Sequence, residues 1–402
     1  MENWKRTFAF IWSGQLISIL SSSVVGYAII FWMSLETGSP EVLALATMSG
    51  MLPQALLGLF IGVYIDRWDR KRTMIYADGF IALCTLLLAV LFYLGVAEIW
   101  HIYLLLACRS IGSAFHMPAM QASVPLLAPE DQLTRIAGVN QMISASANIV
   151  GPALGALLIG ITSIGNILLL DVAGAVVACL SLLCIHIPRP IRSNLMHNLR
   201  REFLEGLMAI KAVRGLAWLF TLSILVLLFI MPVGVLYPLM TLQHFGGGTF
   251  EMSLIEILWG GSSLLGGALM SLRNYNINRV VLICSSNIVV GLAFTLSGML
   301  SSTAFVGFAL LTALEGIAGG VFNSSFISVV QTRLDSGFLG RVLSIYFSVG
   351  QLPAALGLLG TGFLADRIGL SNTFIVCGIA ILLLGTLGLV LPNVLQLDQR
   401  HR

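Results

Sequence analysis

Three charged residues lie inside long apolar runs of the sequence, where a charge is costly. Arg109 is about eight residues into one run, Glu315 about eleven into another and Asp171 about five into a third. A charge left in hydrocarbon costs from about 3 to over 10 kcal/mol. A carboxylate can neutralise itself by binding a proton, whereas arginine stays charged and needs a counter-charge. These residues therefore indicate proton exchange inside a membrane.

Each of the three has a structural alternative. Arg109 would equally serve in a structural ion pair, and Glu315 as a hydrogen-bonded carboxylate of the packed core. Asp171 lies near the outer end of its run, so a snorkelling or capping role fits it at least as well as proton transfer. The first apolar run holds no acid, and its polar residues are Gln15 and the cluster Ser18, Ser21, Ser22 and Ser23.

The sequence contains no motif for nucleotide binding, metal-dependent hydrolysis or nucleophilic catalysis. It contains no GxxxxGK[ST] phosphate loop, no HExxH and no GxSxG motif. The six cysteines form no CxxC pair and lie mostly within apolar runs, which is typical of small buried hydrophobes. We therefore expect no enzyme activity, no cofactor and no metal. The energy for any transport would come from an ion gradient or from a partner such as an ATP-binding-cassette protein.

Composition predicts an α-helical membrane protein. Hydrophobic residues make up 57% of the 402 residues and charged residues only 10%. Runs of about 20 apolar residues suffice to cross the hydrocarbon core as helices, and their continuity is unlike the alternation of a membrane barrel. The predicted spans are 8–34, 42–64, 74–97, 101–124, 135–160, 166–187, 215–242, 251–272, 279–300, 304–330, 341–363 and 372–392.

The basic residues predict the orientation of these spans. Nineteen of the 21 lysines and arginines fall on one side, whereas Arg109 lies within a span and Arg367 lies on the other side. Because basic loops stay in the cytoplasm, both termini are expected there, in a multi-pass protein of the cytoplasmic (inner) membrane. The net charge of +3 is explained by these loops, so no nucleic-acid partner is expected.

An internal repeat divides the chain into halves. An offset of 206 residues superimposes Arg135 on Arg341, Gly151 on Gly357 and Arg109 on Glu315. The repeat predicts a six-helix half over 1–187, a cytoplasmic linker with an amphipathic helix over 188–214, and a second six-helix half over 215–402. In the linker, Leu199, Phe203, Leu207 and Ile210 share one helical face. This helix either lies at the membrane interface or is simply a solvated connection.

The loop between spans 2 and 3 resembles the signature G-x-x-x-D-R-x-G-R-[RK] of the major facilitator superfamily. The matching residues are Gly62, Asp66, Arg67, Arg70 and Lys71. Asp69 stands where the family usually has glycine, which puts the tight turn there in question. The resemblance implies two pseudo-symmetric six-helix halves, and a conformational role for this loop. A basic loop that only sets orientation is the alternative.

The fifth span carries Gly151, Pro152 and Gly155. This resembles the glycine- and proline-containing pattern that marks antiporters in the superfamily. Physically, small residues four apart let helices approach closely, and the proline bends the helix. A general packing stripe is the alternative.

Segments 3–6, 109–119 and 125–133, together with Gly266 and Gly267, resemble the macrolide-efflux branch of drug–proton antiporters. This resemblance covers the whole chain and implies export of amphiphilic drugs, macrolides among them, by proton antiport through alternating access. It also implies that spans 1, 4, 7 and 10 line a central cavity, so that Arg109 and Glu315 could face each other. The implied partners are the drug, protons and membrane lipids, and the implied state is a monomer.

Aromatic residues of spans 1, 4 and 7 are the candidates for the wall of a drug pocket, namely Trp12, Tyr27, Trp32, Phe115, Phe229 and Tyr237. Such residues are also ordinary in a membrane core. The alternatives to drug antiport are export of a native siderophore or lipid-like metabolite, uptake by symport, and a membrane subunit of an ATP-driven pump.

Overall fold

A computed structural model describes residues 4–65, 68–127, 129, 132–185, 199–272, 277–334 and 336–398. These residues form α-helices joined by short connections. The helices are α1 (Trp4–Thr37), α2 (Pro40–Ile65), α3 (Arg70–Tyr93), α4 (Ile99–Leu127), α5 (Leu133–Ile161), α6 (Ile164–Leu183), α7 (Leu199–Ala212), α8 (Leu216–Leu239), α9 (Thr249–Leu272), α10 (Arg279–Met299), α11 (Phe305–Arg333), α12 (Ser336–Ile368), α13 (Leu370–Val390) and α14 (Pro392–Leu395). A π-helical turn (Met240–His244) extends α8, and a 3-10 turn (Gln396–Asp398) follows α14.

Twelve of these helices, all except α7 and α14, are long enough to cross a bilayer. The shortest, α6, has 20 residues, which at about 1.5 Å per residue spans about 30 Å. Within the described residues, nine helices also meet the apolar composition of a membrane span. The predicted all-α membrane class is confirmed, and each predicted span overlaps one of the twelve helices.

The surface of these helices is apolar. Large side chains such as Leu87, Leu157, Leu310 and Leu383 are exposed rather than buried. Water would not favour an apolar surface of this extent, whereas lipid chains solvate it. The surface therefore fits a bilayer as the solvent.

The first of two compact units comprises the described residues of Met1–Thr37 and Leu45–Met196. In this unit α1 packs against α5 and α6, and α3 packs against α4 and α6. Its core includes Ile11, Met74, Ala119 and Leu182, which come from four different helices. We call this unit 1.

Unit 2 comprises the described residues of Gly38–Ala44 and His197–Arg402. Here α10 packs against α11 and α13, α9 against α11, and α8 against α12 and α13. Its core contains Phe220, Phe326 and Tyr346, whose ring centroids lie 4.4 to 5.4 Å apart.

Helix α7 occupies the second part of the segment 188–214, and residues 188–198 lie outside the described residues. The helix packs against α12 in unit 2. Two residues of the apolar face predicted for this helix differ in exposure: Ile210 is buried, whereas Phe203 is exposed. The helix therefore uses only part of that face to dock on the unit.

Two glycines bring α10 and α13 into backbone contact. A Cβ atom at Gly291 would lie 2.5 Å from the backbone nitrogen of Leu382, and one at Gly378 would lie 2.5 Å from that of Thr295. Neither contact leaves room for a methyl group, because backbone atoms cannot move aside as a side chain can. This crossing therefore depends on glycine on both helices.

We predict that Gly378→Ala destabilises the protein. Overpacking of a close contact costs about 1 to 3 kcal/mol. Gly319, in α11, is the matched control because a Cβ atom added there would have nothing within 4 Å. At that position, alanine should be neutral or gain up to about 1 kcal/mol of helix propensity. Thermal unfolding in detergent compares the two, and equal melting temperatures would contradict the close crossing.

An ion pair fastens the C-terminal turn of unit 2 to the start of α10. The Arg279 backbone N–H donates to Oδ2 of Asp398 at 2.7 Å, and its Nε donates to the same oxygen at 3.0 Å. Burial by itself would raise the pKa of the Asp398 carboxyl. The hydrogen bonds and charge of Arg279 outweigh burial and hold this pKa below its ordinary value. The turn is therefore held by a charge that persists into acid.

This ion pair predicts a pH dependence of stability. A carboxyl whose folded-state pKa is depressed stabilises the fold above its unfolded pKa, about 3.9, and loses that contribution as the pH falls through the folded value. The melting temperature of the wild type should therefore exceed that of Asp398→Asn at pH 6, and the difference should shrink below about pH 4. A difference that grew on acidification would contradict this assignment.

Candidate functional site

The centre of unit 1 holds a buried ion pair between α4 and α6. The Nη1 atom of Arg109 donates to Oδ2 of Asp171 and to Oγ1 of Thr85 on α3. Thr85 also donates to Oδ2 at 2.8 Å, and Ser22 of α1 donates to Oδ1. The carboxylate of Asp171 thus receives donors from three other helices. We call these four residues the Arg109–Asp171 network.

Because the network is buried, each of its charged residues depends on the other for stabilisation. Asp171 is only 1% exposed. A buried charge is tolerable only when an opposite charge and hydrogen bonds replace its water. Binding of a proton to Asp171 would remove the negative charge that neutralises Arg109. The network can therefore couple the gain of a proton to the release of an arginine.

The structure corrects what the sequence suggested for Asp171. Snorkelling and capping are wrong, because the carboxylate lies seven residues into α6 and points into the unit. The counter-charge of Arg109 within the described residues is Asp171. The single acid in the apolar run of α6 was a signal for such a site. Its partner could be found only from the packing of α3, α4 and α6.

In unit 2, Glu315 of α11 is buried with a different set of partners. The Tyr237 hydroxyl on α8 donates to its Oε2 atom. The Trp259 side chain interacts with the same carboxyl group, and Glu256 acts on it electrostatically. In the described part of the chain no cationic side chain lies within ion-pair distance of it. Glu315 is 5% exposed, and within the described residues its carboxyl group meets hydrogen-bond donors but no counter-ion.

Aromatic rings enclose the Tyr237–Glu315 pair. The Tyr237 ring stacks on Phe308 at 5.4 Å between centroids and meets the edges of Phe374 and Phe294 at 5.5 and 6.4 Å. These rings make the surroundings of the carboxyl group largely apolar, and the polar groups near it include the Tyr237 phenol, the Trp259 indole and the Glu256 carboxyl. An ionised carboxylate is costly in such a place, whereas a protonated one is not.

The pocket candidates of unit 1 are distributed among different packing contacts. Trp12 is buried, donates from Nε1 to Oδ1 of Asn140 at 2.6 Å, and belongs to the core. Trp32 packs edge-on against Phe92, Phe115 stacks on Trp68 at 6.0 Å, and Tyr27 lies against α5. In unit 2, Phe229 is half-buried and Tyr237 holds Glu315. Trp12 therefore packs within the core of unit 1 rather than at an open wall.

The signature loop is described in part. Asp66 and Arg67 lie outside the described residues, and Gly62 is placed only as backbone of α2. Arg70 donates to the carbonyl of Ala122 at the end of α4, and Lys71 donates to that of Ile185 after α6 at 2.6 Å. These contacts link the start of α3 to the ends of its neighbours.

Asp69, which replaces the family glycine, has a structural role. Its side chain accepts a hydrogen bond from the backbone N–H of Arg72 at 3.2 Å and so caps the N-terminus of α3. An aspartate in this position satisfies a free N–H group and complements the helix dipole.

The glycines of the antiporter-like stripe face α1. A Cβ atom at Gly151 would collide with Ser23, and one at Gly155 would lie 3.2 Å from the backbone of Val24 and of Ala28. Pro152 lies between them inside α5. Ser23 donates to the carbonyl of Ala147, one turn before Gly151, at 2.8 Å. The stripe is thus a close contact between α1 and α5.

Long apolar helices around buried, paired charges define a multi-pass membrane protein of the transporter class. The sequence pattern described as Major Facilitator Superfamily matches residues 11–358. The chain therefore belongs to the Major Facilitator Superfamily, as the signature loop predicted.

Curated relatives extend over the whole chain. The chain is 34% identical over 399 residues to Macrolide efflux protein A of Streptococcus pyogenes, covering 99% of this chain and 98% of that protein. It is 26% identical over 414 residues to Multidrug efflux pump Tap of Mycobacterium tuberculosis, covering 99% and 96%. The predicted likeness to macrolide-efflux members is confirmed.

Solved structures share the fold at low identity. A POT family transporter in complex with a thioalcohol-conjugated peptide aligns with a TM-score of 0.74 at 13% identity, over 96% of each chain. A bacterial homologue of the human lysosomal transporter Spinster, inward-facing and unoccupied, aligns with a TM-score of 0.74 at 12% identity, over 99% of each chain. At these identities the likeness concerns the fold alone.

We predict strong coupling between Arg109 and Asp171 in stability. Arg109→Gln or Asp171→Asn alone leaves a buried partner unpaired and should cost about 3 to 5 kcal/mol. The double variant Arg109→Met with Asp171→Leu removes both charges and should recover most of that loss. Thermal unfolding of the purified variants measures the coupling. Losses that simply add in the double variant would contradict the ion pair.

Proposed function

We propose that this protein is a secondary active exporter of amphiphilic drugs, macrolides in particular, that exchanges drug for protons through alternating access. The drug class rests on the 34% identity to Macrolide efflux protein A over nearly the whole of both chains. The proton step rests on two buried carboxyl groups, Asp171 and Glu315. The observation that carries the exchange is the Arg109–Asp171 network.

The network supports a competition between a proton and arginine for one carboxylate. With Asp171 ionised, Arg109 and the hydroxyls of Ser22 and Thr85 satisfy it. Once Asp171 binds a proton, Arg109 is left without its counter-charge. The ion pair then no longer stabilises the present arrangement of α1, α3, α4 and α6. Protonation would thus shift the population between two arrangements of unit 1.

Glu315 supports a different step. It has donors but no cationic partner among the described residues, so either a proton or a cationic drug can supply its missing positive charge. We propose that it carries a proton in one state and attracts the amine of an amphiphilic drug in the other. The aromatic rings near Tyr237 would favour an apolar ligand with few polar anchors.

The proposed function also assigns roles to the two halves, the linker and the signature loop. The six-helix halves 1–187 and 215–402 would move relative to each other, with the segment 188–214 as their cytoplasmic linker. The basic loops would place both termini in the cytoplasm, and the end of unit 1 at which α3 begins would face it. Residues Gly62, Asp66, Arg67, Arg70 and Lys71 would control this movement, and the Gly151–Pro152–Gly155 stripe would favour antiport over symport.

Everted membrane vesicles test the proposal with a radiolabelled macrolide and an imposed pH gradient. We expect the wild type to accumulate drug only while the gradient lasts and to lose it on adding a protonophore. Glu315→Gln and Asp171→Asn should each abolish gradient-driven accumulation. The matched control is Glu98→Gln, an exposed carboxylate at the start of α4, which should transport as the wild type does.

Other outcomes separate the alternatives. Accumulation that survives both substitutions would overturn these proton sites while keeping the exporter. Accumulation that needs ATP rather than a gradient would favour a subunit of an ATP-driven pump. A lack of macrolide accumulation under any gradient would overturn the macrolide assignment and favour a native metabolite as substrate.

A further inference from the structure

A second buried pair lies in unit 1, outside the network described above. The Nε2 atom of His116 on α4 is 3.2 Å from Oδ1 of Asp78 on α3. The two residues are 6% and 4% exposed. The contact does not have the geometry of a hydrogen bond, so it becomes an ion pair only when the imidazole carries a proton.

Helix geometry stacks this pair below the Arg109–Asp171 network. Asp78 precedes Thr85 by seven residues on α3, and His116 follows Arg109 by seven on the antiparallel α4. Seven residues make about two turns, so each residue shares a helix face with its counterpart about 10 Å away. The pair lies toward the end of the unit where α3 begins.

Helix α1 offers a polar face at the same two levels. Gln15 precedes Ser22 by seven residues, with Ser18 between them, so Gln15, Ser18 and Ser22 lie on one side of the helix. Ser22 donates to Asp171, and all three residues are buried or half-buried. On α6, Gly174 lets this part of α1 approach closely, since a Cβ there would collide with Ser21 and would lie 3.2 Å from the Cα of Ser18.

Polar atoms at the lower level lack partners. Gln15 is fully buried, and within the described residues neither its Oε1 nor its Nε2 atom has a hydrogen-bond partner; the same holds for Oδ2 of Asp78 and for Nε2 of His116. Unsatisfied buried polar atoms cost about 1 to 3 kcal/mol each, and an apolar side chain would avoid that cost. Their presence points to a polar species that engages them during function.

We propose that Asp78 and His116 form a second proton-binding site, and that the face of α1 formed by Gln15, Ser18 and Ser22 connects it to Asp171. A proton entering from the end where α3 begins binds the pair, which then holds an imidazolium and a carboxylate. It passes to Asp171 through water molecules held by Gln15 and the serines, and the imidazole returns to its neutral form. The inference rests on the proposed proton antiport.

The surroundings of the pair agree with this role. On α6, which packs against α3, the Cys179 thiol lies near the pair, with its Sγ 3.8 Å from the carbonyl of Ile75. Gln15, on α1, is uncharged. Arg109 is the cation two turns away on α4, where Asp171 neutralises it. Between the levels, the contact of α3 with α4 is apolar, because Ile81 packs against Gly112. The polar route therefore follows α1.

Proteoliposomes that enclose a pH-sensitive dye test the proposal. Under an imposed gradient of a macrolide, the initial rate of proton movement is compared among wild type, His116→Gln and Gln15→Leu. We expect both variants to slow proton movement by roughly tenfold or more, the scale of losing a proton-transfer group. The half-saturating macrolide concentration should stay unchanged. His101→Gln, on the same helix but outside the pair, is the matched control.

Stability separates a proton role from a structural one. Gln15→Leu removes unpartnered polar atoms from a core, so its melting temperature should equal or exceed that of the wild type while its proton movement falls. If both variants moved protons at the wild-type rate, the inference would be overturned. It would also be overturned if Gln15→Leu lowered the melting temperature together with the rate of proton movement.

A second measurement works without any substrate. Infrared difference spectra of the purified protein, recorded between pH 5 and pH 8, should show bands of an imidazole and of the carboxylate beside it, and these bands should vanish in Asp78→Asn and His116→Gln. If the wild-type liposomes move no protons with macrolide but these bands are present, the proposed antiport fails and the proton-binding site stands. If the bands are missing, the site itself fails.

Discussion

The ion pair between Arg109 and Asp171 is the interaction on which unit 1 depends. It joins α4 to α6, and through Thr85 and Ser22 it also ties α3 and α1 to the same carboxylate. In a low dielectric such a pair is strong, and either partner alone is strongly unfavourable. A change in the charge of Asp171 therefore acts on four helices at once, which is the property that a proton-driven switch requires.

The two buried carboxyl groups differ in what they lack. Asp171 has a permanent cation and several hydroxyl donors, so a proton must displace existing partners. Glu315 has the Tyr237 phenol and an aromatic enclosure but no cation in the described residues, so a positive charge completes its site. This contrast supports the two roles proposed for them, one as a switch and the other as the place where proton and cationic drug exclude each other.

Helix α1 makes close contacts with two other helices of unit 1. Gly151 and Gly155 of α5 let the backbone of α1 approach on one side, and Gly174 of α6 does so on another. Serines then fill the contacts, and some of them turn their hydroxyls to buried acceptors such as Asp171 and the Ala147 carbonyl. The serine cluster that the sequence left without a role thus fills close helix contacts and supplies a hydrogen-bond donor to Asp171.

The sequence by itself determined the solvent, the helices and the family. Apolar runs of about 20 residues need no knowledge of neighbours, since each helix satisfies its own backbone in the membrane. The signature residues Arg70 and Lys71 are equally local. Only the tertiary structure decided that Arg109 pairs with Asp171, that Tyr237 serves Glu315 and that His116 meets Asp78, because each pairing depends on which helices pack together and at what level. Periodicity shows which face of a helix is polar, but the partner across it is chosen by packing.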